Sequence, residues 1–589
     1  MRMPDYFTFA KVRGDAAARN LIINRIPIVL TASLLLCSLI YNFNGTLWDT
    51  AIHLYYNLFC LTGFVIVLSL WPFRLHLNYL DLSIVLLLVF VVLNRSLRAH
   101  TVLEVHTLMS AALLFYYLML KKIQWNQHIL RLYYTLVTGI GTELSVYGFL
   151  EWFGVVESDS MHWIVTGNFA NPGPFGGFLA VVTPFAFLLA INRYKEKNIT
   201  HATVYMLAVA VLLSGIVLSE SRTALVAAVV AMAYCLHFHF RFKKQTYYYI
   251  LSFAALVFAT FGFIKTFHSV SGRLLIWKIS AAIFADHPLV GIGHEFFGAT
   301  YLKYQASYFA RGNGSVNEVL LAGNTSEAFN EVIKFAVENG VIGVGIIMLI
   351  IGFAFKSFRA IQDRSVKISS VAVLIAFFLF AQFSYPLYFL CFKLLLVNQV
   401  SILSGSTPAP SIGLRKVVTV IVLLVTAAGA WGGWALLRST YDWREAYRLQ
   451  YSDSQQAAQL FANASRLLTT DGYFFYNYGI FLQETDTKQS THLLEQSEAR
   501  LGRTWIYDNL AINYETLNRI DEAERMYLRA HHCIPVLLKP QVRLVDFYLR
   551  IGDKEKAKQW IDKILAAPVK VRNSETQKLL NELRNKWKE

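Results

Sequence analysis

Two arginine side chains lie in apolar surroundings, where their charge requires an explanation. Arg222 lies between two apolar runs in the stretch LSESRTALVAAVV, and Arg273 lies at the start of the stretch GRLLIWKISAAIF. A guanidinium group stays charged at physiological pH, and its planar fork of donors matches the oxygens of a phosphate. A converging pair would therefore suit a phosphate or pyrophosphate group. A lone arginine at a helix end can equally extend its side chain to reach water.

The elements that must position these arginines are apolar helices. The chain has 589 residues, 55% of them hydrophobic, and a mean hydropathy of +0.43. Apolar runs of roughly 16 to 24 residues recur from residue 21 to residue 437, long enough to cross a bilayer as helices. The pair of runs around Ser384 and Pro386 could also be one long kinked helix. We predict about thirteen spans, near residues 21–42, 54–71, 79–94, 106–120, 130–153, 174–191, 201–219, 223–240, 248–266, 332–355, 368–385, 387–404 and 417–437.

The placement of charge predicts the orientation of these spans. The net charge of +16 could suggest a nucleic-acid partner, but the basic residues cluster in alternate loops between spans. That pattern is typical of membrane proteins with those loops in the cytoplasm, and it places the polar segment 1–20 there too. Arg95 and Arg98 are the main exceptions to the pattern. On this orientation Arg222 lies at the outer membrane–water boundary.

The longest segment between spans, residues 267–330, lies on the same outer side. Ile276, Ile279 and Ile283 follow a helical spacing, which predicts a short amphipathic helix along the outer surface with Arg273 at its start. The stretch DHPLVGIG is a cluster of helix breakers that would end this helix. Lys278 adds a second positive charge to it. The two arginines are therefore expected to converge on one outer face.

A second outer loop leads into a span through the stretch TGNFANPGPFGGFLA. Its asparagines, prolines and glycines predict a turn followed by a helix, and Asn171 directly precedes that helix. The free N–H groups at a helix N-terminus could accept an anion. The same small residues also permit tight packing between spans.

Four stretches of the chain together resemble the O-antigen ligase/polymerase superfamily of bacterial membrane glycosyltransferases. They occur in the family's order between about residues 160 and 350: GNFANPGPFGGFLA, SESRTALVA, GRLLIWKISAAIFADHPLVGIG and AFNEVIKFAVENGVIGVGI. The resemblance implies a glycan donor carried on a polyprenyl pyrophosphate, transfer at the periplasmic face of the inner membrane, and no metal or other cofactor. The superfamily includes O-antigen ligases, O-antigen polymerases and protein O-oligosaccharyltransferases.

The resemblance also assigns roles to individual residues. Arg222 and Arg273 match the arginines that hold the donor pyrophosphate, and Lys278 is expected to assist them. The donor or acceptor pocket is expected to include four residues from the matching motifs, Asn171, Ser221, Trp277 and Asn330.

One position departs from the family pattern. The family has a histidine before the asparagine matched by Asn330, and here that position is Phe329, which cannot accept a proton. Glu331 is our preferred replacement as catalytic base, with Glu327 and His294 as alternatives. Glu331 could equally be a carboxylate that stabilises a helix N-terminus. The base could also be dispensable, or the chain an inactive member.

The composition changes after residue 437, and residues 440–589 form a separate charged, helical segment. Tyr514 and Tyr548 are 34 residues apart, as are Ala523 and Ala557. That period is typical of tetratricopeptide repeats, which stack into a surface for partner proteins or peptides. The domain could also serve only to dimerise the enzyme or to steady the loop. It would lie outside if the last predicted span is real, and in the cytoplasm if the two spans around Ser384 are one.

These features predict an all-α polytopic membrane bundle with three parts: segment 1–20, a transmembrane glycosyltransferase domain at 21–437 containing the loop 267–330, and the repeat domain at 440–589. The predicted reaction transfers a glycan to an acceptor hydroxyl by an inverting displacement. A lipid A core is the leading acceptor, and another glycan or a protein is the alternative. A transporter or flippase of lipid-linked sugars, or a non-catalytic docking protein, are the competing classes. The scarcity of charges such as Glu143 and Lys393 within the spans argues against transport.

Overall fold

The structure, a computed structural model, is almost entirely helical over the part of the chain that it describes. It describes residues 26–40, 47–68, 75–101, 104–158, 160–239, 266–405, 411–412, 415–567 and 574–588. The segment 1–20 and nearly all of the predicted span 248–266 lie outside these residues. The first fifteen helices are α1 Ile26–Ile40, α2 Leu47–Leu68, α3 Tyr79–Ala99, α4 Val105–Leu120, α5 Gln127–Trp152, α6 Pro172–Lys195, α7 Ile199–Leu218, α8 Arg222–His239, α9 Thr266–Asp286, α10 Phe297–Ala310, α11 Val316–Leu321, α12 Glu331–Ala360, α13 Arg364–Ala381, α14 Leu390–Gly405 and α15 Arg415–Leu449.

Apolar helices form a polytopic bundle, as predicted. Twelve of the thirteen predicted spans coincide with a described helix. Among the described residues, six helices are long and apolar enough to cross a membrane: α3, α6, α7, α8, α12 and α13. Helix α6 lies at the centre, and its apolar window is buried along its whole length. Short strands β1 (Leu75–His76) and β2 (Ser411–Ile412) pair antiparallel at one end of the bundle.

The helix ends define two opposite faces of the bundle. At one face Asn330 Nδ2 donates to the Gln382 carbonyl at 3.0 Å, so α12 begins where α13 ends. At the other face the Arg364 guanidinium donates to the Phe238 carbonyl at 2.6 Å, so α13 begins where α8 ends. We call the first face the loop face, because residues 266–330 join it. We call the second face, which carries Arg364, the basic face.

The two uncertain spans are separate antiparallel helices. Helix α13 ends at Ala381, a short 3₁₀ turn covers Pro386–Tyr388, and α14 begins at Leu390. Helix α14 then returns to the basic face, where the Ser404 carbonyl accepts from Asn78 Nδ2 at 3.0 Å. Helix α15 therefore runs back towards the loop face, which is the arrangement expected when the last predicted span is real.

A break in α12 receives the loop. Gly340 interrupts α12 with φ 62° and ψ −168°, which leaves backbone groups on both sides of the break without helical partners. Four backbone hydrogen bonds of 2.8 to 3.1 Å join residues 337–342 to residues 288–293 of the DHPLVGIG stretch. The breaker cluster therefore does more than end α9, because it supplies the partners that the broken helix lacks.

The predicted loop helix is present as α9, and one of its faces is buried. Ile279, Ser280 and Ile283 are buried, whereas Lys278 on the opposite side is exposed. The prediction that Arg273 starts this helix is wrong, because α9 begins at Thr266, two turns before Arg273.

The C-terminal part is a tetratricopeptide-like helical repeat. It contains α16 Ser454–Ala464, α17 Gly472–Phe481, α18 Thr487–Arg500, α19 Thr504–Thr516, α20 Ile520–Cys533, α21 Leu538–Arg550, α22 Lys554–Ala566 and α23 Ser574–Lys588. Tyr514, Tyr548, Ala523 and Ala557 are all buried between helices, as the 34-residue period predicts. The proposed division at residues 437–440 falls inside the continuous helix α15, whose Trp443 packs against Phe474 in the first repeat.

The repeat domain packs directly on the loop. Gln305 Nε2 donates to the Cys533 carbonyl at 2.6 Å, and Lys303 Nζ lies 3.0 Å from a Glu498 carboxylate oxygen. Buried residues of α9, α10, α19 and α20 form one hydrophobic cluster. The repeat domain therefore lies on the loop face of the bundle.

Candidate active site

Arg273 lies beside the segment that precedes α12. Its guanidinium carbon is 5.8 Å from the centre of the Phe329 ring, which is a cation–π distance. Trp277, one turn further along α9, donates its indole N–H to the Ala328 carbonyl at 2.9 Å. Burial lowers the pKa of Arg273, although a guanidinium still keeps its charge at neutral pH. The loop helix and the start of α12 therefore hold each other in register.

Arg222 begins α8 at the loop face. The preceding turn packs on the start of α6, because a Cβ added at Gly176 would lie 2.4 Å from Ser219 Oγ and 2.7 Å from Ser221 Cβ. Asn171 caps α6 and accepts the Gly173 amide at 2.9 Å. Asn171, Ser221 and Arg222 therefore belong to one corner of the loop face.

Aromatic rings connect the corner with Arg222 to the segment beside Arg273. Phe329 packs against Tyr385 at a centroid distance of 5.3 Å, and Tyr385 stacks on Phe389 at 5.9 Å. Phe389 then meets Phe169, just before α6, at 5.1 Å. Arg273 thus borders an aromatic row that ends at Phe169, just before α6, while the joint contact of the two arginines with one pyrophosphate stays a prediction.

Asn330 and Glu331 both fix the entry to α12. The Asn330 side chain caps the helix by accepting the Ile333 amide at 3.0 Å, while its Nδ2 binds the Gln382 carbonyl. The Glu331 carboxylate accepts the Leu387 amide at 2.7 Å. The structure thus gives Glu331 a contact with the α13–α14 turn, which is a structural role beside its predicted catalytic one.

Glu327 is paired with a buried lysine that the sequence did not single out. Lys334 Nζ lies 3.0 Å from both Glu327 carboxylate oxygens, and both residues are buried. Burial raises the pKa of Glu327 to about 8, and the charge of Lys334 opposes that rise. A carboxyl group with such a pKa can exchange a proton near neutral pH.

His294 reaches the same cluster from the loop. Its Nδ1 is 2.9 Å from a Glu338 carboxylate oxygen, and its Nε2 is 3.8 Å from Glu295. Glu295 in turn lies 3.8 Å from Lys334 Nζ, and the neighbouring positive groups hold the pKa of Glu295 below its usual range. We call His294, Glu295, Glu327, Glu331, Lys334 and Glu338 the charge cluster. The structure therefore brings all three predicted catalytic candidates together.

Lys278 lies apart from this cluster. Its Nζ donates to the Tyr308 hydroxyl at 2.6 Å and lies 3.2 Å from Glu318, and these contacts raise its pKa. Its assistance to the arginines stays a prediction. Within the described ranges, no group of three or more His, Cys, Asp or Glu residues is arranged to hold a metal ion.

The part of the chain just described is similar to a known protein family. Residues 207–348 match the O-Antigen ligase family model. The matched segment contains Arg222, Arg273 and the whole charge cluster. No curated protein matches the chain.

Two solved structures show a low overall similarity to the chain. One, titled as the functional characterization of Pseudomonas aeruginosa pilF, is 14% identical over 29% of this chain and 78% of its own, with a TM-score of 0.19. The other, the crystal structure of the APC/C hetero-tetramer Cut9-Hcn1, is 11% identical over 81% of this chain and 76% of its own, with a TM-score of 0.21.

Several residues that shape the matched segment are not indicated by the sequence motifs. Arg98 donates to the Gly291 carbonyl at 2.5 Å, and Arg95 donates to the His294 carbonyl at 2.6 Å. These two exceptions to the charge pattern are therefore anchors for the loop. Lys334 and Glu295 were missed as well, although a lysine in an apolar helix and a carboxylate beside His294 were visible signals.

Proposed function

We propose that this protein is a membrane glycosyltransferase of the O-antigen ligase type. It transfers a glycan from a polyprenyl-pyrophosphate carrier to an acceptor hydroxyl at the periplasmic face of the bacterial inner membrane. The match of residues 207–348 to the O-Antigen ligase family carries this proposal. The location of both arginines and the charge cluster inside that segment supports it.

The proposed reaction is a single displacement at the anomeric carbon. The acceptor oxygen forms the new bond to that carbon, and the bond to the pyrophosphate oxygen breaks. Arg222 and Arg273 neutralise the charge of the departing diphosphate, since a guanidinium matches paired phosphate oxygens. The acceptor proton passes to a base in the charge cluster, for which Glu327, Glu331 and His294 are the candidates. Asn171, Ser221, Trp277 and Asn330 shape the pocket, and Lys278 adds charge at its rim.

The acceptor is proposed to be a lipid A core, with a glycan chain or a protein hydroxyl as alternatives. The repeat domain contacts the loop through α10 and α20, so an acceptor or a partner protein held on it would lie on the loop face. That proximity suits a docking role in lipopolysaccharide synthesis and also suits protein O-glycosylation.

A deletion strain examined by glycan staining tests the function. Loss of long glycans from lipid A supports a ligase, loss from proteins supports an oligosaccharyltransferase, and shortened chains alone support a polymerase. Complementation with Arg222→Ala or Arg273→Ala is expected to fail, whereas Arg311→Ala on the exposed part of the same loop is expected to restore the glycan. Full rescue by both alanine variants would refute the pyrophosphate assignment.

The candidate bases are separated by carboxamide substitutions in purified protein. Glu331→Gln keeps an oxygen that can accept a hydrogen bond from the Leu387 amide. If the role of Glu331 is only structural, this variant is expected to keep nearly full turnover. Glu327→Gln removes a titrating group from the buried pair with Lys334. Turnover that survives both substitutions and His294→Gln would eliminate all three candidate bases.

A further inference from the structure

Lys334 is the group around which the charge cluster is built. Its side chain is buried, and two carboxylates approach its ammonium group, Glu327 at 3.0 Å and Glu295 at 3.8 Å. A buried ammonium is unfavourable without such partners, because burial removes its hydration. Glu327 and Lys334 lie on opposite sides of Phe329 in the sequence, and Phe329 occupies the position where the resembling family has its histidine.

The four carboxylates of the cluster have different partners. Glu331 accepts the Leu387 amide, and Glu338 accepts His294 Nδ1. Glu295 has a half-exposed side chain between His294 and Lys334. Glu327 differs from these three because both of its carboxylate oxygens lie within hydrogen-bonding distance of Lys334 Nζ.

We infer that Lys334 is a positioning residue that orients the Glu327 carboxylate and favours its ionised form, in which it accepts the proton of the acceptor hydroxyl, so that this pair replaces the absent histidine. The inference rests on the proposed function. In the step, the acceptor O–H bond breaks, its proton binds Glu327, and its oxygen takes the glycosyl group as the diphosphate leaves. The neutral Glu327 then returns the proton to water before the next turnover.

The surroundings of Glu327 determine the pH dependence that this role predicts. Lys334 stabilises the carboxylate, whereas Glu295 and Glu331 oppose its ionisation. Tyr385 and Tyr388 face it from the α13–α14 turn. Removing Lys334 would therefore raise the pKa of Glu327, and removing the charge of Glu295 would lower it.

The test compares the pH dependence of turnover in purified full-length protein, with a polyprenyl-pyrophosphate glycan as donor. In Lys334→Met, the acid limb is expected to move to higher pH by about one unit or more, the usual effect of losing an opposite charge. Lys334→Arg is expected to keep the wild-type limb. In Glu295→Gln, the limb is expected to move to lower pH. These opposite shifts are not expected from a merely structural lysine, whose loss would lower turnover equally at every pH.

Each outcome bears on the inference. Profiles of Lys334→Met and Glu295→Gln that keep the wild-type midpoint would overturn it. If Lys334→Met does not fold, the partly exposed Glu295→Gln decides alone. Failure of the proposed function looks different, because the wild-type protein would then transfer no glycan, or Arg222→Ala and Arg273→Ala would transfer normally. Active wild type, impaired arginine variants and an unmoved acid limb would reject Lys334 while leaving the function intact.

Discussion

Gly340 and Leu289 approach so closely that neither backbone leaves room for a side chain between them. A Cβ placed on Gly340 would lie 2.3 Å from the Leu289 carbonyl oxygen, and φ at Gly340 is 62°. Glycine adopts this backbone conformation without steric cost, and other residues rarely do. The loop and the broken helix α12 are thus one structural unit, and this unit carries Glu338 and His294 of the charge cluster.

Substitution of Gly340 should therefore damage the site from a distance. Gly340→Ala is expected to cost about 1–3 kcal/mol in backbone strain, with a further cost for the overlap with Leu289. Hydrogen exchange by mass spectrometry should show lost protection in residues 288–293. Gly345→Ala is the matched control, because nothing lies within 4 Å of a Cβ there. Alanine also favours a helix by up to about 1 kcal/mol over glycine. Equal protection of residues 288–293 in both variants would contradict the dependence of the loop on the break at Gly340.

The contact between the loop and the repeat domain offers a second test. A Cβ on Gly502 would lie 2.1 Å from the Gly298 carbonyl oxygen, so Gly502→Ala must push α10 and the repeat domain apart. We expect faster hydrogen exchange in α10 and α20, with no change in the buried helix α6. Gly323→Ala, in the same loop as Gly298, should behave as wild type, because nothing lies within 4 Å of a Cβ there. Unaltered exchange in Gly502→Ala would show that the domains do not depend on this contact.

Arg98 provides a third prediction. It donates to the Gly291 carbonyl, and a hydrogen bond from a charged group typically contributes about 1.5–3 kcal/mol. Arg98→Ala should therefore loosen residues 288–293 and lower turnover without changing the acid limb of the pH profile. Arg438→Ala, which removes an exposed arginine from α15, is the control. A shift of the acid limb in Arg98→Ala would mean that Arg98 acts on the titrating group itself.

His531 makes the repeat domain sensitive to acid. Burial, chiefly, lowers its pKa to about 3, so the folded domain holds it neutral while the unfolded chain protonates it near its ordinary value of 6.5. Stability is therefore complete above about pH 6.5 and falls as the pH drops towards 3, by at most about 1.4 kcal/mol per pH unit. His531→Phe should flatten the loss of hydrogen-exchange protection in α20 between pH 7 and pH 5. His492→Phe, on the exposed side of α18, should not.

The sequence predicted the elements well because their patterns are local. Apolar length marked the helices of the bundle, and the 34-residue spacing of Tyr514 and Tyr548 marked the repeats. The amphipathic helix α9 followed from the spacing of its isoleucines. The boundary at residue 437 was less successful, because α15 changes from apolar to polar without interruption and composition alone cannot reveal that continuity.

The cluster depends on contacts between distant parts of the chain, and it was predicted only in part. Glu327, Glu331 and His294 were visible as titratable residues near the matching motifs. The pairing of Glu327 with Lys334, and of His294 with Glu338, depends on how the loop enters the break at Gly340. Arg95 and Arg98 appeared as exceptions to a charge rule because their partners are loop carbonyls roughly two hundred residues away.

The uninterrupted course of α15 has a mechanical consequence. Its 35 residues correspond to a rod of about 50 Å at 1.5 Å per residue. Gly429 and Gly433 lie so close to Phe59 and Tyr56 that the rod and α2 are tightly meshed. Its other end is built into the first repeat through Trp443. A force on the repeats would thus be transmitted along a continuous helix directly to the membrane bundle.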